Sequence, residues 1–190
     1  MAVIGLRYPI WSPYVSGPTA GLITYGTAVT SDHAIEANVS WSRNENNLYG
    51  DDTIVEYDNS IMGGEITFVY DHLAPALRAS MLGEAEIGST GVYEISDAVA
   101  PHGGFGYIKT MRNGGATTYD AYWYHDVQFS VGDDSAKTRG ENIEWQTPTV
   151  TGKINGVDMA GDGIIKYRYF KPGLTLSAAQ SYLDDLAGVT

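Results

Sequence analysis

The sequence predicts a mainly β protein, a mostly antiparallel β-sandwich or barrel with two flanking α-helices. Three observations lead there. First, residues 117–152 read as two long strands joined by a charged connection. In the first of them Tyr119, Ala121, Trp123, His125, Val127, Phe129 and Val131 share one face by period two. Thr118, Asp120, Tyr122, Tyr124, Asp126, Gln128 and Ser130 share the other, a polar face that carries two tyrosines. Second, most remaining apolar runs are short, β-branched or aromatic, and bounded by Gly, Asn, Asp and Pro. Third, only two segments carry helical spacing with start and stop signals. The order is strands, helix, strands, helix, without an internal repeat or linker. At 190 residues this is one domain with room for a full core.

Taken in order, residues 3–8 form a short strand that Pro9 should stop. Residues 10–30 are rich in Gly, Pro, Ser and Thr yet keep Trp11, Tyr14 and Tyr25. Residues 1–30 therefore read as an N-terminal arm, which lies against a neighbouring subunit or forms an ordinary surface loop. From residue 33 to 41 the alternation resumes, with Ile35, Ala37, Val39 and Trp41 opposite Glu36, Asn38, Ser40 and Ser42. A polar loop follows at 43–52, with Leu48 and Tyr49 in its middle and Asp51 and Asp52 at its end. Apolar residues there mark a contact or a loop tucked back onto its own domain. Strands are expected at 53–57 and 61–70, the latter with a bulge or close backbone approach at Gly63-Gly64.

The first helix takes Asp71 as N-cap and Pro75 in its first turn. It repeats Leu73, Leu77 and Met81, and ends at Gly83. A short strand at 92–95 precedes 101–112, where a glycine-rich turn (HGGFG) runs into a strand. Asn113-Gly114-Gly115 then signals a hairpin into the 117–131 strand. After the charged connection at 132–142 and the second long strand come an acidic glycine loop (DMAGDG, 158–163) and a basic-aromatic strand (IIKYRYF, 164–170). The closing helix spans 177–188. Ser177 and Gln180 are read as a capping box, with Ala179, Tyr182, Leu183 and Leu186 on one face and Gly188 as terminator.

Composition narrows the function. The net charge is −12 and the pI near 4.5, so the chain is not built to grip phosphate backbones or anionic membranes. It has no cysteine, which removes disulfides and thiolate chemistry. Charged residues make up 18%, against about 25% in typical soluble domains, while glycine and tyrosine are abundant. Low charge with many Tyr, Thr and Gly suggests a surface largely covered by something other than water, which favours an oligomer, although an ordinary β-protein shares the pattern. The N-terminus lacks a signal-peptide pattern and no apolar run reaches membrane-spanning length, so folding in a cytoplasm is expected.

His33, His72, His102 and His125 form no metal-binding spacing. Asp32-His33 and His125-Asp126 sit side by side on strands and point to opposite faces, so they are no catalytic dyads. The HGGFGYI glycines lack a following Lys-Ser and a helix, DMAGDG does not fit a calcium loop, and no serine sits in a nucleophile elbow. No enzyme activity and no cofactor or metal are expected.

Several stretches, in order, resemble the phi13-type major tail (tail tube) protein family of long-tailed bacteriophages: GLRYPIW, NNLYGDD, GGEITFVYDHL, PHGGFGYIK, AYWYHDVQF and TRGENIEWQTPTVTG. Residues 164–172 depart from it, being more basic than the family's closing segment. The resemblance implies a tail-tube fold and a structural virion protein without catalysis. It implies rings of six that stack into a tube through which DNA passes without specific binding. The partners implied are further copies of the chain, the tape measure, the tail terminator and the distal tail protein, with the virion tail as location and no membrane anchor. On this reading Glu36, Asn38, Ser40, Ser42, Glu65, Thr67, Asp120 and Asp126 are candidates for the lumen wall. Trp11, Tyr14, Leu48, Tyr49, Asp51, Asp52, Tyr122, Tyr124, Lys137 and Arg139 are candidates for inter-subunit contacts. The competing expectation is a monomeric carbohydrate- or receptor-binding β-module, with Tyr122, Tyr124 and Trp145 as a sugar platform.

Overall fold

A computed structural model describes residues 2–19, 22–31, 33–87, 91–93, 95, 97–131, 138 and 147–189. The strands are β1 (Ala2–Thr19), β2 (Leu22–Tyr25), β3 (Val29–Thr30), β4 (Ala34–Arg43), β5 (Asn46–Gly50), β6 (Thr53–Asp58), β7 (Ile61–Tyr70), β8 (Ala85–Ile87), β9 (Gly91–Tyr93), β10 (His102–Asn113), β11 (Ala116–Val131), β12 (Thr149–Asn155), β13 (Val157–Asp158), β14 (Ile165–Lys166) and β15 (Arg168–Leu174). The helices are α1 (Pro75–Leu82) and α2 (Leu176–Ala187). The fold is mainly β and sandwich-like, with every strand pair antiparallel and two helices, as expected.

One nine-stranded sheet dominates, in the order β2-β1-β10-β11-β12-β7-β4, with β15 added to β11 and β3 to β1. It curls so that β7 and β4 lie against β10 and β11. Phe68 of β7 packs on Phe105 of β10 at 5.0 Å, and Trp41 of β4 lies 6.4 Å from Tyr124 of β11. This interior is the main core, closed at one end by Leu77, Met81 and Leu82 of α1. A second core lies on the outer side of β1, β10 and β11. There Ala179, Leu183 and Ala187 of α2 cover Ile10, Ile108, Ala121 and Trp123.

β11 joins these parts. It pairs with β10 along one edge, and its other edge changes partner from β15 (residues 119–124) to β12 (residues 126–131). At the changeover β11 is bulged. Val127 faces Gly103 and Tyr124 faces Phe105, so His125 and Asp126 together oppose Gly104. The extra residue reverses the side-chain parity. Ala121 and Trp123 point to α2, whereas Tyr124, Val127 and Phe129 point into the main core. Strict alternation along 117–131 therefore fails at one point, and from residue 119 to 127 both faces of the strand are covered.

Other expectations are corrected by the same packing. The first strand does not stop at Pro9 but runs on to Thr19, with register shifts between Arg7 and Ile10 and a positive φ at Tyr8. The expected arm is part of the sheet. A shift between Ala34 and Glu36 turns Ala34 to the core and leaves Ile35 exposed. The HGGFG glycines are no turn; they lie within β10 because Trp11 and Trp123 rest flat against its backbone. In α1 the N-cap is Ala74, held extended ahead of Pro75, and Leu73 falls outside the helix. Asp71 instead accepts the His72 N–H and pairs with His33. In α2 Thr175, not Ser177, caps the start, accepting the Ala178 N–H at 3.3 Å. The terminators Gly83 and Gly188 and the Asn113-Gly114-Gly115 hairpin are as expected.

Candidate functional site

Residues 43–52 are not a loop. β5 and β6 form a hairpin of their own, inserted between the paired strands β4 and β7. Its two-residue turn, Asp51-Asp52, has φ of 48° and 62°, the left-handed pair that a tight primed hairpin turn requires and that aspartate tolerates. At its base the Asn44 N–H donates to the Ser60 carbonyl at 2.8 Å. Asp58 accepts from the Ser60 N–H and hydroxyl and from Asn44 Nδ2, and those bonds hold its carboxyl below the usual carboxylate range. The base is thus fixed while the rest projects. Leu48, Tyr49, Ile54, Val55 and Tyr57 are each more than half exposed, and every residue of β6 is exposed. A two-stranded hairpin with apolar side chains in water is only marginally stable alone, and exposed apolar patches rimmed by polar groups mark interaction sites. Leu48 and Tyr49, two of the candidate contacts, are exposed on this hairpin with Asp51 and Asp52 at its turn; the exposure of Ile54, Val55 and Tyr57 was missed because they read as an ordinary buried strand.

A second surface is the outer face of β4, β7, β12 and the end of β11. Register places Asn38, Thr67, Thr151 and Ser130 in one row across the strands, and Ser40, Glu65, Lys153 and Gln128 in the next. Glu36, Asn38, Ser40, Ser42 and Glu65 are exposed and Thr67 is half-buried, with Asn38 Nδ2 donating to Glu36 at 2.7 Å. These lumen candidates are brought together on one polar face. The intervening rows, such as Val39, Ile66, Gly152 and Phe129, form its apolar underside. Asp120 lies on the opposite face, Asp126 shares the outer face by register, and both are buried, against expectation. Asp120 accepts the Gly173 N–H at 3.0 Å, and Asp126 sits 2.8 Å from His102 Nδ1.

Three further contact candidates are also corrected. Trp11 is fully buried in the main core and donates its indole N–H to Ser80 of α1. Tyr124 is fully buried, its hydroxyl 3.2 Å from that of Tyr107, so it cannot serve a sugar platform. Tyr14 is half-buried and turned inward: its hydroxyl, with that of Tyr25, donates to the His125 carbonyl at 2.7 and 2.9 Å. Two residues of the expected arm thus clamp the β11 bulge, and burial raises both phenols, that of Tyr25 to about 12. Tyr122 is half-buried between Tyr107 and Phe170. Lys137, Arg139 and Trp145 lie outside the described residues.

Within the bulge the His125 ring is buried, and its Nδ1 finds no partner among the described residues. Burial, with Lys166 adding to it, lowers its pKa from 6.5 to about 4. A base whose folded pKa is depressed binds a proton more readily when unfolded, so stability is lost as pH falls from 6.5 towards 4. We expect His125→Phe, which keeps the ring packing on Tyr169, to remove this component. Urea titrations at pH 7 and 4.5 should show the variant losing about 2 kcal/mol less than wild type; equal losses would refute the assignment.

Among the described residues no three His, Asp or Glu side chains are grouped to hold a metal, and no helix is long and apolar enough to cross a membrane. Compared with known proteins, the chain matches no family model and no curated protein.

Proposed function

We propose that this chain is a self-assembling structural protein, a major tail protein whose stacked rings, six subunits to a ring, form the tube that conducts phage DNA. The observation that carries the reading is the projecting β5–β6 hairpin. It exposes Leu48, Tyr49, Ile54, Val55 and Tyr57 while its base is rigidly bonded. A monomer gains nothing from such an element, whereas a stacked assembly needs a protruding heterologous contact. The ten-residue β4 adds support: it ends the main path of the sheet with one edge unpaired among the described residues. A long free edge is a liability in a monomer and a pairing site in a ring. The hydroxyl-rich face of β4, β7 and β12 is the candidate lumen wall. With Glu36, Glu65 and Lys153 as its charges it offers phosphate little to hold.

Concentrated protein should form rings or tubes in electron micrographs and elute above monomer size. A strict monomer that binds glycans would replace this reading with the binding-module one. Deleting residues 46–58 and closing the gap with two glycines should leave a folded subunit of near-wild-type melting temperature that no longer stacks. Tubes formed by that variant would exclude the hairpin as a stacking element.

A further inference from the structure

The hairpin is acidic as well as apolar. Between residues 44 and 60 it carries Glu45, Asp51, Asp52, Glu56 and Asp58 and no lysine or arginine. On a chain of net charge −12 with eleven Lys and Arg, the place of the cations is informative. Lys109 of β10 and Arg168 of β15 converge on one ring, lying 4.8 and 5.2 Å from the centre of Tyr122. Arg168 also lies over Trp41 at 5.5 Å, and Lys171 over Tyr182 at 4.3 Å. Phe170 is exposed on the same face against Tyr122, whereas Tyr169 and Lys171 alternate to the other face of β15, against Tyr182 of α2. None of these three cations makes an ion pair among the described residues. Burial, and the like charge of Arg168, lower the Lys109 pKa, with Asp120 opposing. Two cations thus lie against one ring without a salt bridge among the described residues, and the buried Asp120 across from Lys109 offsets only part of their charge.

We infer that the β5–β6 hairpin of one copy docks on the Lys109–Arg168–Phe170 surface of the next. Glu56 and the turn aspartates meet the cations, and Leu48, which shares the Glu56 face of the hairpin, lies on Phe170. This deepens, and rests on, the self-assembly reading. The two surfaces differ, so the contact is heterologous and propagates rather than closing as a dimer. Opposite charge fixes the register, and an acidic protein with these cations elsewhere would repel its own copies at that contact.

Charge reversal tests it. Arg168→Glu, or Glu56→Lys, should raise the protein concentration needed for assembly by about tenfold or more, and the two changes combined should restore much of the loss. Melting curves establish that each variant is folded. The chain has no cysteine, so a variant carrying Glu56→Cys and Phe170→Cys should give an intermolecular disulfide ladder on mild oxidation of assembled protein. That measurement stands even if Arg168→Glu misfolds. If wild type and reversal variants assemble alike and no ladder forms, the docking surface is wrong while the assembly reading stands. If wild type stays monomeric, both fall.

Discussion

Gly104→Ala is expected to cost about 3 kcal/mol or more, the upper end for overpacking a core, and to leave much of the chain unfolded near physiological temperature. Gly104 is the single residue of β10 that faces the two-residue bulge of β11. A methyl group there would overlap Cζ2 of Trp123 and come within 2.7 Å of Cε1 of Tyr25. Neither ring can retreat. Trp123 is fully buried under α2, and its indole donates to the Tyr25 hydroxyl, which itself bonds the His125 carbonyl. Moving either ring breaks the clamp on the bulge, and the bulge is where β11 changes partner. Urea unfolding should show a lower midpoint at unchanged slope. Gly91→Ala is the control: a methyl there meets nothing within 4 Å, and its effect should fall within about 0.5 kcal/mol. A Gly104→Ala variant as stable as Gly91→Ala would show that the rings do not rest on this strand as described.

The class of fold was legible because period two survives wherever a strand has one buried face. The Asn38 and Ser40 rows of β4, and their partners on β7, read correctly for that reason. What failed were single-residue insertions. Bulges at Ile35 and at His125-Asp126 each shift parity by one, and nothing local in the residue types announces them. The glycines of HGGFG were visible, but their cause was not. They are small because indole rings from the two neighbouring strands settle on that strand, a tertiary fact: Trp11 of β1 on Gly103, Trp123 of β11 on Gly104 and Gly106. The caps failed by a few residues for a similar reason. Pro75 decides where the first helix can start, and in the second the Thr175 hydroxyl, two residues before Ser177, takes the capping bond. The exposed apolar patch of the hairpin was legible by half. Leu48 and Tyr49 stand out in a polar stretch, whereas Ile54 and Val55 look like any core strand until the fold shows that no core lies beneath them.

Trp11 separates two physical roles that the sequence left open. If it belonged to an arm reaching a neighbour, Trp11→Ala would weaken assembly and spare the folded subunit. Its surroundings require the reverse. The ring is fully buried, meets Phe129 edge-on at 5.4 Å and lies across Gly103, and its N–H donates to Ser80 Oγ at 3.1 Å. It therefore ties β1 to β10, β11 and α1 at once. Truncating it to alanine should cost about 3–5 kcal/mol, the range for removing a large aromatic from a core. Trp11→Phe should cost less. It keeps an aromatic ring there, but it loses the indole N–H bond, leaving Ser80 without its partner and costing on the order of 1 kcal/mol for that bond. Tyr49→Ser supplies the opposite pattern. Tyr49 is 64% exposed at the hairpin, so its removal should leave the melting temperature of the subunit nearly unchanged and reduce assembly. Measured on subunits at concentrations too low to associate, the order of stability should be wild type and Tyr49→Ser together, then Trp11→Phe, then Trp11→Ala. A Trp11→Ala subunit that melts like wild type would place this residue in an interface and return the first strand to the role of an arm.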